Sequence, residues 1–243
     1  MKSYDTIASN PYDNRETEAE KIARNVAETG DEARLSPPER LDLVRDEFYQ
    51  LVHRLKPGIQ TGRWSSLIIE GISAQPVGMV IGSIMKRWAQ EHDQNPPSTM
   101  VITLNKASSE NENSTEVYEY LSGQVTSLTT KRTLVLTEYI HRGIAIGNLE
   151  GMLTGIGASY DIATLVGDEE RYLEEGSQYY SGGSRYIGDC PLYASPDGRP
   201  ALRRAVGYDK EGTSPIPVRV TEPDPNFIKS LDTLTDNLYE DLF

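Results

Sequence analysis

Four residues that could do chemistry stand close together in the stretch Thr133 to Gly147, TLVLTEYIHRGIAIG: Glu138, His141, Arg142 and Gly143. An acid at the end of an apolar run is placed to accept hydrogen bonds from hydroxyl groups. A glycine at a helix start lets a bound anion approach free backbone N–H groups. Thr133 to Leu136 read as strand, so Thr137 and Glu138 are expected to project beyond the last ladder bonds. Tyr139 to Gly143 are expected to turn, and a helix over 144–156 then begins with its positive dipole end facing the same crevice. Arg142 would add a charge-assisted bond to an anion held there. The plain alternative is that Glu138 solvates a loop or caps the next helix, and that His141 and Arg142 are a surface pair in a turn.

What must position these residues is an alternation of short apolar runs and amphipathic segments. SSLIIE (65–70) reads as a buried strand, PVGMVIGSIMKRWAQEH (76–92) as a helix and TMVITLN (99–105) as a second strand. KRTLVLTE (131–138) is a third strand, IAIGNLEGMLTGI (144–156) its helix, and DIATLVGD (161–168) a fourth strand. Strands apolar almost throughout, alternating with helices, predict an α/β fold with a parallel sheet covered by helices on both faces. Ligands of such sheets bind at the C-terminal ends of the strands, which is where Glu138 falls.

Ahead of the first strand, Ser36, Pro37 and Glu39 form a helix-start signal, and Leu41, Val44, Phe48, Leu51, Val52 and Leu55 recur at helical spacing until Pro57-Gly58 is expected to end the helix. Between the second and third strands, SSENENS (108–114) reads as an exposed loop and TEVYEYLSGQV as a helix with Val117, Tyr120 and Leu121 on one side. Beyond residue 168 the periodicity fades into a Tyr-, Gly-, Ser- and Pro-rich stretch, expected to be a loop-rich hood with a strand at ALRRAVGY. Phe227, Leu231, Leu234, Leu238 and Leu242 then mark an acidic amphipathic helix expected to dock on its own domain. The expected organisation is a polar tail over 1–34, an α/β core with its leading helix over 35–168, and the hood with the last helix over 169–243.

Bulk properties narrow the function. The 243 residues are 37% apolar and 25% charged, with a formal charge of −13, which argues against a nucleic-acid backbone as the main partner. A single cysteine, Cys190, permits no internal disulfide, no segment reads as a signal peptide, and no apolar run reaches the roughly 18 residues of a membrane span. A cytoplasmic location is the resulting expectation.

The order strand, acid, loop, glycine in Thr133 to Ala145 resembles the signature of type I phosphoribosyltransferases, a glycosyltransferase class in which an apolar strand is followed by two acids and a short phosphate loop. The resemblance implies a type I phosphoribosyltransferase-like core over about 64–168, with a helical N-terminal extension and a C-terminal hood. Thr137 and Glu138 fall on the acid positions that hold the ribose hydroxyls of phosphoribosyl pyrophosphate (PRPP), and Glu138 is the catalytic candidate. Tyr139 and Ile140 lead into His141, Arg142, Gly143, Ile144 and Ala145, which fall on the loop for the 5′-phosphate. Ser73, Ala74 and Gln75, after the first strand, fall on the pyrophosphate loop. Mg2+ is implied through the substrate's pyrophosphate, with no metal ligands assigned on the protein.

The first acid position carries Thr137, the second carries Glu, and Gly71 to Gln75 include no basic residue. Those departures define the alternative of a catalytically inactive nucleotide sensor or protein-interaction module. The expected partners are a phosphorylated ribose or nucleotide and, in a homodimer, a second copy of the chain, with neither nucleic acid nor a membrane among them.

The remaining features read as packing. Gly143, Gly147, Gly151 and Gly155 are expected to let their helix approach the sheet or a neighbour closely. Tyr179, Tyr180, Tyr186, Tyr193 and Tyr208 are expected to supply buried area, the other use being to stack on a base. Cys190 has no local base to activate it, and His53 and His92 lie on predicted helices without suggesting a metal cluster.

Overall fold

A computed structural model of the protein describes residues 36–104, 112–140, 144–167, 177–183, 208–209, 216–219 and 222–243. Expectations for the polar tail and for His141, Arg142, Gly143, Tyr186, Cys190 and Tyr193 lie outside these residues, as do those for the side chains of Tyr139, Ile140, Ile144 and Ala145.

Five strands, β1 (Trp64–Glu70), β2 (Ser98–Ile102), β3 (Arg132–Ile140), β4 (Tyr160–Gly167) and β5 (Tyr179–Gly183), form one sheet in the order β2-β1-β3-β4-β5, with every pairing parallel. Side chains alternate between its faces. Leu67, Ile69, Leu134, Leu136, Ala163 and Leu165 enter one apolar core, and Ile68, Val135 and Ile162 enter the other. The first core is closed by helices α1 (Pro37–Asp42), α2 (Arg45–Gln60), α3 (Gln75–Glu91) and α7 (Pro225–Leu242). The second is closed by α4 (Glu112–Gly123), α5 (Val125–Thr130) and α6 (Ile144–Gly155).

Glu39 takes both the N–H and the hydroxyl of Ser36, at 2.7 and 2.6 Å, and α1 starts at Pro37 as the spacing predicts. The leading helix differs from expectation in two respects. It breaks at Leu43–Val44, and α2 runs through Pro57 and Gly58 to Gln60. A proline disturbs the turn before it rather than the turn after it, so the helix gains one more turn and buries Ile59. Gly58 is needed there, because a Cβ at that position would lie 2.2 Å from the Trp64 ring.

α4 starts at Glu112, inside the stretch expected to be loop, because a polar first turn carries no apolar signal ahead of Val117. The glycine stripe of α6 does not make the close approach expected of it. Gly147 and Gly151 face solvent, where an added Cβ would meet nothing within 4 Å, and a Cβ at Gly155 would meet only Tyr118, at 3.5 Å. α6 instead packs through Ile146, Leu149, Met152 and Leu153.

β5 arises from YYSGG, within the stretch expected to be loop-rich. Its Tyr179 packs into the second core and Tyr180 meets Trp64 edge-on at 5.9 Å, so both tyrosines supply packing area. Tyr208 opens a two-stranded antiparallel ribbon of β6 (Tyr208–Asp209) and β7 (Val218–Arg219). α7 starts at Asp224, which accepts from the N–H groups of Asn226 and Phe227 at 2.9 and 3.3 Å, and its five predicted apolar residues are all buried against α2 and α3.

The N-terminal edge of the sheet is fastened by Asp161, whose side chain is wholly buried. It accepts from Arg63 Nε at 2.7 Å, Trp64 Nε1 at 2.8 Å, Arg132 Nη1 at 2.8 Å and the Gln178 N–H at 2.9 Å. One carboxylate thereby ties β1, β3 and β4 to the segment entering β5. Burial alone would raise its pKa, but the hydrogen bonds from Arg63, Trp64 and Gln178, with the charge of Arg132, outweigh it and hold the carboxyl below its ordinary range.

Candidate functional site

The strand order reverses between β1 and β3. From β1 the chain crosses through α3, on the first face, to the edge strand β2, and from β3 it crosses through α6, on the second face, to β4. Two helix starts therefore diverge from the C-terminal ends of neighbouring strands, and the crevice between them is where open α/β sheets bind ligands. Positive dipole ends face it from both sides, although at α3 the Gln75 N–H already donates to Ile72 O at 3.2 Å and Pro76 has no N–H.

β1 ends at Glu70, and Gly71 turns the chain with φ of +90°, a backbone conformation that favours glycine. The Gly71 N–H still donates to Ile102 O at 2.8 Å, so the turn leaves the sheet on the β2 side. Ser73 is half-buried, and Ala74 and Gln75 are buried at the start of α3. The Gln75 Nε2 has no hydrogen-bond partner among the described residues.

β3 is longer than expected. Its register with β1 runs to Leu136, whereas its register with β4 continues through Thr137↔Thr164 and Tyr139↔Val166 to Ile140↔Gly167. Thr137 and Glu138 thus stay within the ladder, and the chain is still strand at Tyr139 and Ile140 where a turn was expected. The cause is β4, which is buried along its whole length and carries the pairing further than β1 can. Thr137 and Glu138 are almost fully buried, at 3% and 1% exposure.

By alternation Glu138 shares the first face with Leu134 and Leu136, and Thr137 shares the second with Val135. Thr137 donates from Oγ1 to Glu70 Oε2 at 3.2 Å. The registers extend that pair into one polar row across four strands, Glu70, Thr137, Thr164 and Ser181. Thr164 and Ser181 turn their hydroxyls to their own strand ends, donating to Val166 O at 2.8 Å and Gly183 O at 2.9 Å.

Of the residues singled out from sequence, Ser73, Ala74, Gln75, Thr137 and Glu138 are brought to this one edge, as are the backbones of Tyr139, Ile140, Ile144 and Ala145. Glu70 was missed, although its signal is the same as that of Glu138: an acid closing an apolar strand. Thr164 and Ser181 carried no signal, because a hydroxyl inside a strand becomes a site residue only through register. Arg63 and Arg132 lie at the opposite edge, committed to Asp161. Among the described residues no three His, Cys, Asp or Glu side chains are grouped so as to hold a metal ion, and no helix is long and apolar enough to cross a membrane.

Fold and site together define a doubly wound α/β protein with its crevice at the β1/β3 switch point. No protein-family model matches the chain, and no curated protein matches it. Solved structures that overlap with it include the HGPRT-ase of Leishmania tarentolae in complex with GMP, at 8% identity and a TM-score of 0.37 over 59% of this chain and 78% of that one. A hypothetical protein of Neisseria gonorrhoeae with bound ppGpp overlaps at 15% identity and a TM-score of 0.35, over 57% of this chain and 78% of that one. A hypoxanthine phosphoribosyltransferase of Staphylococcus aureus overlaps at 10% identity and a TM-score of 0.34, over 59% and 76%.

Proposed function

We propose that the β1/β3 crevice binds a ribose 5-phosphate group, carried by phosphoribosyl pyrophosphate or by a nucleotide, as a phosphoribosyltransferase-like site. The observation that carries this reading is the divergence of α3 and α6 from one switch point, with Glu70 closing β1 and Glu138 near the end of β3. In this reading the 5′-phosphate sits on the N–H groups at the start of α6, reached through His141, Arg142 and Gly143. Glu138 accepts from the ribose, and Ser73 to Gln75 face the leaving pyrophosphate. Mg2+ arrives as part of the substrate, bound by pyrophosphate oxygens.

Transfer to a nitrogenous base would proceed by loss of pyrophosphate from the anomeric carbon and capture by a ring nitrogen. The protein's part is to position the reactants and stabilise developing charge in a site shielded from water. The second reading, binding without turnover, is favoured by Thr137 in place of an acid and by the absence of a basic side chain between Gly71 and Gln75.

A rise in Tm with millimolar PRPP and Mg2+, and a smaller one with GMP, is the expected result for either reading. Pyrophosphate release in the presence of pooled nucleobases separates them: release identifies a transferase, and a Tm rise without release identifies a sensor. Absence of a Tm rise with every ribose 5-phosphate compound overturns both.

A further inference from the structure

We propose that Glu70 is a ligand-binding residue of this crevice, a carboxylate that accepts from the ribose hydroxyls and is held in position by Thr137. The inference rests on the ribose 5-phosphate reading above and names which group on the chain meets the sugar.

Three observations lead to it. Glu70 closes β1 at the switch point, is half-buried, and takes the Thr137 hydroxyl on Oε2 at 3.2 Å. The bond from Thr137 orients the carboxylate at the strand end. The face is the second observation: Glu70 and Thr137 lie on the side of the sheet where α6 starts, and the sugar is the part of the ligand joined directly to a phosphate seated there. The third is independent of the acids. Gln75 is 5% exposed, opens the 17-residue α3, and its Nε2 has no partner among the described residues. Side chains in a helix lean toward its N-terminus, so this buried donor leans toward the crevice, where an acceptor on a ligand would satisfy it.

Charge selects the kind of group Glu70 can meet. Across Glu70 to Gln75 and Thr137 to Ile140 there are two carboxylates and no Lys, Arg or His. A bare phosphate above Glu70 would be repelled, whereas a neutral hydroxyl donates to it. Thr137 is the positioning residue for Glu70.

The test compares ribose 5-phosphate, 2-deoxyribose 5-phosphate and inorganic phosphate as ligands of the full chain, by NMR or calorimetric titration. The wild type is expected to prefer ribose 5-phosphate over the deoxy sugar by roughly ten- to a hundredfold, the range of a hydrogen bond to a charged group. Glu70→Gln is expected to reduce that preference to within roughly threefold without weakening the binding of inorganic phosphate. Thr137→Val, which keeps the shape and removes the donor, should lower the preference partway.

An undiminished preference in Glu70→Gln overturns the assignment while the proposed function stands. Equal weakening of all three ligands by Glu70→Gln also overturns it, since that pattern reports a structural role. If the wild type binds none of the three, the ribose 5-phosphate reading falls and Glu70 falls with it.

Discussion

Asp161→Ala lowers the free energy of unfolding by about 3–5 kcal/mol, read by urea denaturation, because it removes the carboxylate shared by the donors of four residues at the sheet's N-terminal edge. The arginines are not the main part of that loss. Arg63 and Arg132 keep 31% and 24% of their side-chain surface in water and can hydrate once released. Trp64 is buried, and its Nε1 has no such recourse; a buried donor left unpaired costs about 1–3 kcal/mol. Asp161→Asn is expected to recover little, since one carboxylate oxygen becomes an NH2 facing donors on both sides.

The same residue predicts an acid limb. Its folded pKa lies below the unfolded value, so its contribution is fully present above about pH 4 and is lost as pH falls through the folded value. The Asp161→Ala protein should lose less stability than the wild type over that range, and equal losses would remove Asp161 from the account of acid unfolding.

Gly182→Ala is the second large effect, expected at about 3 kcal/mol or more, at the upper end of overpacking costs. A Cβ at Gly182 would lie 2.2 Å from Glu47 O and 2.6 Å from Leu165 O, backbone of α2 on one side and of β4 on the other. Neither can rotate away, so β5 or the N-terminal half of α2 must move. Gly183→Ala is the control: its Cβ would meet the Glu47 side chain at 3.1 Å, a group free to shift, and the expected loss is below about 1 kcal/mol. Similar losses from the two variants in urea denaturation would show that the backbone approach at Gly182 does not limit packing.

That glycine also explains why β5 was not legible in the sequence. YYSGG looks like a turn because two of its five residues lack side chains, yet they are there to admit α2 against the sheet. The first four strands, β1 to β4, were legible because each is an apolar run, and α7 because its apolar positions fall on one stripe. The end of β3 was misplaced for a different reason: strand length is set by the partner, and β4 carries the pairing to Ile140. Candidate residues followed the same division. Glu138 and Glu70 each stand at the end of an apolar run and are readable from that place, whereas Thr164 and Ser181 align with Thr137 only through register across the sheet.

The central claim is that the β1/β3 crevice seats a ribose 5-phosphate group, and an amide shift map of the 15N-labelled protein titrated with ribose 5-phosphate tests it most directly. The account predicts saturable shifts that are largest over residues 70–77 and 137–147, with α7 and the Asp161 edge unmoved. Shifts centred elsewhere on the protein, or none at millimolar ligand, would contradict it.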